Sequence, residues 1–307
     1  MRRFLVHALA FIALQAMILE LVRRGCPDDP NHYMAATIDK HERLRAAASP
    51  RVIFVGGSSV GFSVDSRPFA ALGFTPVNMG LNDGLGLDFM LREVESQLRP
   101  GDLVIVAPEP HLYWTGSQHD SLWAVLEQRP ASAACLGPRS ARELSDQALH
   151  FLARKVRCAA HQISTQRPLP TIYRRDSFDE TGDFSAHRAL AAKHEAPIDR
   201  PWPAVDTLRF DHAISALQRF AGTCEARAAV CTLAWCPLRH AQLEREAELL
   251  RALEARLEAE VALPLIETLA EAGHPPEAFY DRGPHLTGAA AQRRSARLAA
   301  RAAALRR

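Results

Sequence analysis

The sequence predicts an α/β fold: a doubly wound parallel sheet carrying a helical insertion and preceded by a membrane helix. Three observations carry this. Short continuous apolar runs, RVIFVGG at 51–57 and DLVIVAP at 102–108, have the pattern of strands buried on both faces. Segments with apolar residues at helical spacing alternate with them, as strand–helix units of a parallel sheet require. The first 24 residues hold an apolar stretch of about 19 residues, close to the length that spans a bilayer as a helix.

Taken in order, that first stretch is FLVHALAFIALQAMILELV, flanked by Arg2 and Arg3 before it and Arg23 and Arg24 after it. No small-residue cleavage site precedes the second basic pair, so an uncleaved anchor over 1–24 is expected. His7, Gln15 and Glu20 weaken the span, and a buried or interfacial helix is the plain alternative. Residues 25–50 are polar, include a short helix-like stretch HERLRAAA, and read as a linker leading into the domain. The strand at 51–57 ends in glycines, and Asp65 or Ser66 then caps a short helix with Pro68 in its first turn. PVNMG predicts a second strand, GLDFMLREVESQL a helix ended by Arg99-Pro100-Gly101, and DLVIVAP a third strand. The rhythm breaks after Tyr113. Residues of about 115–200 read as an insertion over one end of the sheet, so that the main domain runs over 51–307. A helix in TLRFDHAISALQRFAGTCEAR, a strand in AAVCTLAW, a helix at HAQLEREAELLRALEARLEAE, a short apolar segment VALPLIE and a closing helix from about Thr287 complete the pattern.

Composition narrows the classes of function. The chain has 307 residues, 48% of them hydrophobic and 23% charged, enough for a folded domain with a sizeable core and incompatible with disorder. The net charge is only +2, and no basic stretch with interleaved aromatics occurs, so nucleic acid is not an expected partner. The cysteines are Cys26, Cys135, Cys158, Cys224, Cys231 and Cys236, whose pairing sequence does not reveal. Cys231, Cys236 and His240 lack the tight Cys-x-x-Cys spacing of a zinc site, and no metal is expected.

Candidate chemistry lies where strands end, because sites of open α/β sheets form beyond the carboxyl ends of the strands. Gly56-Gly57-Ser58-Ser59 follows the first strand directly. Paired glycines permit a tight turn and close backbone approach, and Ser58 on such a turn can present its hydroxyl beside free amides. An ordinary turn explains the same residues, and the Gly-Lys-Ser/Thr ending of a phosphate loop is absent. Near the other end, FYDRGPHLTGAAAQRR sets Asp281 and His285 on a loop leading into the last helix. A histidine there can act as base to a serine, with the aspartate fixing its tautomer. A helix-capping role for Asp281 or Thr287 is the simpler alternative.

In series, VIFVGGSSVGFSVDS, PVNMGLNDGLGLDFML, GDLVIVAPEPHLYW and FYDRGPHLTGAAAQR resemble a membrane-anchored bacterial branch of the SGNH (GDSL-type) hydrolase superfamily linked to cell-surface polysaccharide. The resemblance covers about 50–115 and 205–300, with a weaker match at SFDETGDFSAH. It implies an SGNH/flavodoxin-like fold and a triad of Ser58 as nucleophile, His285 as base and Asp281 as its orienting partner. The Ser58 amide, with Gly84 or Gly86, would supply the oxyanion donors. The implied activity is that of an extracytoplasmic esterase or O-acyl (acetyl) transferase. It would act on a cell-envelope or exported glycan, or another small acyl ester, without a cofactor. The alternative is a non-catalytic envelope protein that binds glycan or positions a membrane acyltransferase. The chain departs from the family pattern at two places, the first being Ser59 in the fourth position of the Gly-Gly-Ser-Asn form. At the second, where an asparagine side chain would donate, it reads Ala107-Pro108-Glu109-Pro110, and an ionised Glu109 only accepts. This favours the alternative, unless Glu109 orients a substrate hydroxyl or pairs with an arginine. An exposed loop charge accounts for Glu109, and a loop histidine for His111, equally well. Asp183 and His187 match a Gly-Asp-x-x-x-His pattern in the insertion, although a helix-surface pair at i, i+4 accounts for them more simply.

Overall fold

A computed structural model describes residues 2–25, 29–137, 145–146, 149–150, 152–153, 155–157, 171–193, 195, 202–204 and 208–305. Cys26, Cys158 and most of the helical piece expected at 140–156 lie outside the described residues.

The chain begins with a helix, α1 (Arg2–Gly25), on which Phe4, Leu9, Phe11, Ile12 and Met17 are exposed. Among the described residues no helix is long and apolar enough to cross a membrane. Helix α2 (Ala36–Ala46) leads into β1 (Arg51–Val55), followed by α3 (Ser58–Ser63), α4 (Arg67–Ala71), β2 (Thr75–Asn78), α5 (Leu87–Glu95) and β3 (Leu103–Val106). Helix α6 (His119–Gln128) opens the insertion. After it come α7 (Asp211–Ala226), β4 (Val230–Leu233), α8 (His240–Arg245), α9 (Ala247–Glu260) and α10 (Leu269–Ala272), and the chain closes with α11 (Gly288–Ala304).

The four strands form a parallel sheet in the order β2-β1-β3-β4, with Ile53 opposite Val77 and Val104, and Val104 opposite Cys231. The segment VALPLIE continues this edge: Leu233 donates its N–H to the Pro264 carbonyl and accepts from Ile266 N–H, both at 2.9 Å. Because successive strand residues point to opposite faces, the apolar runs feed two cores. Ile53, Val55, Val77, Val106 and Leu233 pack with Leu91 of α5, Phe220 of α7 and Leu253 of α9. Val52, Phe54, Leu103 and Ile105 pack with Phe69 of α4 and with Leu298, Ala299 and Ala302 of α11. Helices therefore cover both faces. The chain leaves β1 through the second core to β2 and returns through the first core to β3. The reversal of direction lies at β1, which puts a crevice beyond the carboxyl ends of β1 and β3.

Two expectations need correction. Residues 29–50 are not a linker apart from the domain. Met34, Ala36 and Leu44 belong to the first core, and Lys40 is buried, donating to the carbonyls of Asn78 at 2.9 Å and Gly182 at 2.6 Å. Its alternation of small, apolar and polar residues has little helical apolar period, so the docking of α2 was not apparent. Asp183 and His187 are not a surface pair, since each is 1% exposed. Asp183 accepts from Ser66 N–H, the Ser66 hydroxyl, the Asn78 side-chain amide and Arg188, each at 2.8 Å, and so ties the insertion to α4 and the end of β2. His187 donates through Nε2 to the Leu286 carbonyl at 2.9 Å.

The start of the sheet is pinned by a fully buried ion pair. Arg51 donates through Nε to Asp102 Oδ1 at 3.0 Å and through Nη2 to Oδ2, and through its remaining N–H groups to the carbonyls of Leu44 and Gln97, both at 2.5 Å. Removing one partner strands the other charge in an apolar interior. An Asp102→Ala variant is expected to lose about 3–5 kcal/mol in denaturant unfolding, whereas a loss under about 1 kcal/mol would mean that water reaches Arg51.

Candidate active site

Ser58 is the first residue of α3, directly beyond β1 and the Gly56-Gly57 turn. The loop that carries Asp281 and His285 is held as a narrow hairpin before α11, with Tyr280 N–H on the His285 carbonyl and Thr287 N–H on the Ala278 carbonyl, both at 2.8 Å. Ser63, at the far end of α3, donates to the Pro284 carbonyl at 3.1 Å and accepts from Leu286 N–H at 2.9 Å. One short helix thus fixes both the serine and the histidine loop, although 227 positions separate Ser58 from His285.

The three residues form a continuous chain. His285 Nε2 lies 2.9 Å from Ser58 Oγ, and its Nδ1 lies 2.9 Å from Asp281 Oδ1 and 3.0 Å from Oδ2. An ionised carboxylate only accepts, so Nδ1 carries the proton and Nε2 is left to accept from the serine hydroxyl. Phe62 stacks on the imidazole at a centroid distance of 4.0 Å and an interplanar angle of 15°, and Phe184 stacks on the far face of that contact, 4.0 Å from Phe62. Asp281 accepts two further bonds, from Tyr173 hydroxyl at 2.7 Å and Gly283 N–H at 2.8 Å. Burial works against its charge, but His285, Tyr173 and Gly283 outweigh it and hold the carboxyl at about 2. His187, behind the loop, is pushed down to about 4 by burial, against the pull of the Leu286 carbonyl.

Ser58 and His285 open into a cavity of about 450 Å³ whose walls include Tyr33, Asn82, Asp120 and Tyr173. A larger cavity of about 540 Å³ lies between α5 and α7, but it contains none of the triad, and its Arg92 and Arg219 are paired with Asp88 and Glu95. The smaller one is the cavity that Ser58 and His285 line.

The expected oxyanion residues are placed differently. Gly84 N–H is bonded to Asn82 Oδ1 and Asp83 Oδ1, both at 2.9 Å, and Gly86 N–H to the Asp83 carbonyl at 3.0 Å. Their turn consumes both amides, and neither is free to donate to a substrate. The residue that sequence reasoning missed is Asn82. Its Oδ1 accepts from Gly84 N–H and from the Ser121 hydroxyl at 2.9 Å. A backbone N–H can only donate, so the atom held by these bonds is the amide oxygen, and Nδ2 has no partner among the described residues. Neither does Ser58 N–H. In the sequence, Asn82 precedes Asp-Gly and reads as a turn residue, which concealed it.

Glu109 is not an exposed loop charge. It is 3% exposed and accepts from Ser59 N–H at 2.8 Å and Gly57 N–H at 3.2 Å, and no arginine is bonded to it among the described residues. His111 does not line the cavity with Ser58; its Nε2 pairs with Asp83 Oδ2 at 3.2 Å. Cys231 and Cys236 are buried thiols, and among the described residues no group of three His, Cys, Asp or Glu could hold a metal ion.

No protein-family description matches the chain, and no curated protein matches it.

The Tyr173 contact generates a prediction about pH. Asp281 is depressed in the fold, so the stability it contributes is present above the ordinary carboxylate range and lost as pH falls toward about 2. Tyr173→Phe removes one of the bonds that depress it. The variant is expected to be less stable at pH 7 by about 0.5–1 kcal/mol, and by less at pH 3, in urea titrations. An equal loss at both pH values would show that the hydroxyl does not act through the Asp281 charge.

Proposed function

We propose that the chain is a serine ester hydrolase or O-acyl transferase of the SGNH kind, acting on an acyl ester of a cell-envelope or exported glycan. The observation that carries this is the unbroken Ser58–His285–Asp281 hydrogen-bond chain opening into a cavity. Ordered sequence blocks that resemble the SGNH superfamily supply the fold-level part of the reading. The glycan and the acetyl group come from that resemblance. Polar groups on the cavity wall, Asn82, Asp120 and Ser121, suit a hydroxyl-rich leaving group, while Met34 and Ala124 suit a short acyl chain.

In this mechanism Ser58 Oγ attacks the ester carbonyl as its proton passes to His285 Nε2. Asp281, kept ionised by its neighbours, stabilises the imidazolium. Ser58 N–H and Asn82 Nδ2 donate to the oxyanion, replacing the absent asparagine after β3. The leaving alkoxide takes the proton from His285, and an acyl group remains on Ser58. Water or a sugar hydroxyl then loses its proton to His285 and attacks the acyl carbon; the acyl–oxygen bond to Ser58 breaks, and His285 returns the proton to Ser58 Oγ. Helix α1, with exposed apolar side chains between basic ends, would attach the domain to a membrane, with the domain outside the cytoplasm. The acceptor Glu109 in place of a donor is the one observation that favours a glycan-binding component without turnover.

A fluorophosphonate probe is expected to label the parent protein, and Ser58→Ala to lose both labelling and hydrolysis of an aryl acetate. Persistent labelling of the variant would remove Ser58 as nucleophile. Glycan binding by a parent that neither turns over ester nor takes the probe would support the non-catalytic reading instead. Asn82→Ala is expected to lower kcat by about 100- to 1,000-fold with KM little changed, and an unchanged kcat would exclude Asn82 as an oxyanion donor.

A further inference from the structure

Glu109 has no part in the proton relay, yet its carboxylate is bonded to the backbone of the nucleophile turn. It stands just beyond β3, where the family resemblance implies a donor, and it brings an acceptor. Its carboxylate takes the N–H groups of Gly57 and Ser59, the residues on either side of Ser58. The fit is exact enough to dictate sequence. A Cβ added to Gly57 would stand 2.5 and 2.6 Å from the two carboxylate oxygens and 2.8 Å from Asp83 Cα, and one added to Gly56 would stand 2.6 Å from the Ala107 carbonyl oxygen. Gly57 therefore serves as the seat of this carboxylate, while Gly56 lets the turn lie against the Ala107 carbonyl.

We propose that Glu109 is the positioning residue of the nucleophile turn. From behind, it clamps the amides flanking Ser58 and leaves the Ser58 amide as the turn's donor toward the cavity. The proposal rests on the reading of Ser58 as nucleophile, and its clamp can be measured apart from that reading. Among the described residues, the titratable groups that interact electrostatically with Glu109 include Asp83 after β2, His111 in the turn beyond β3, Tyr33 before α2 and Cys236 after β4. Burial and the Asp83 charge push the Glu109 carboxyl up from its ordinary range, while the Ser59 contacts and His111 pull it back. None of these neighbours bonds both flanking amides, so none can replace the clamp when Glu109 is removed.

The test compares the full chain with Glu109→Ala and Glu109→Gln by hydrogen–deuterium exchange over the peptide containing 56–60 and by aryl acetate kinetics. Loss of the clamp in the alanine variant is expected to speed exchange of that peptide about tenfold or more. It is also expected to lower kcat by about 30-fold or more with KM within about threefold. Glutamine keeps the size and one acceptor oxygen, and is expected to fall between parent and alanine in both measurements. Unchanged exchange in the alanine variant would overturn the clamp, and parent-level kcat despite faster exchange would overturn the positioning role. If the alanine variant does not fold, the near-isosteric glutamine decides by the same two measurements. If the parent neither hydrolyses ester nor takes the fluorophosphonate, the esterase reading fails while exchange alone still decides whether Glu109 holds the turn.

Discussion

Two strand ends meet beyond β1 and β3 with no room for a side chain at the junction. Gly56 lies against the Ala107 carbonyl and Gly57 against the Glu109 carboxylate, so the backbone of one strand end is packed directly on the other. This close approach places Ser58 at the start of α3 and fixes which way its neighbouring amides point. The parallel register of β1 on β3, from Val52 opposite Leu103 to Val55 opposite Val106, delivers the two ends at the same height. Without that register the serine turn and the acid that holds it would not share a layer.

The opposite side of the crevice depends on α11 and the hairpin before it. Alanines and Leu298 let α11 lie close over the second core, while Arg294, almost wholly buried, reaches Glu267 at 2.7 Å. Ser295 accepts from Asp65 N–H at 2.8 Å, and Ser63 holds the hairpin by two bonds. The imidazole is then confined by Phe62 on its face and by Asp281 at its Nδ1, so it loses little freedom when it accepts a proton. The insertion contributes through Tyr173 and through the Asp183 hub, which makes a segment far away in sequence part of the support of the site.

Some of this was legible in the residues and some was not. The buried strands, their helices, the placement of Ser58 just beyond the first strand and that of Asp281 and His285 on the loop before the last helix followed from apolar runs, glycine pairs and the Pro-Gly loop, because these are local signals. Asn82 was passed over and Glu109 was left between a site residue and a loop charge for one reason: each looks like an ordinary loop residue, and its surroundings depend on what lies across the crevice. Gly84 and Gly86 were misassigned because an amide's availability depends on whether its own turn consumes it. The docking of 29–50 escaped notice because α2 buries small and polar residues, Lys40 and His41 among them, with almost no apolar periodicity.

The sequence by itself determined the class of the fold, the order of strands and helices along the chain, and the residue types able to form a serine–histidine–aspartate relay. Periodicity and turn chemistry act over a few residues, and so they can be read in one dimension. The tertiary structure alone decided that Ser58 and His285 meet, that Glu109 faces the turn and not solvent, and that Asn82 from the loop after β2 shares a cavity with Ser58. Those outcomes are set by strand register, helix docking and the exclusion of water, which act between residues up to 227 positions apart.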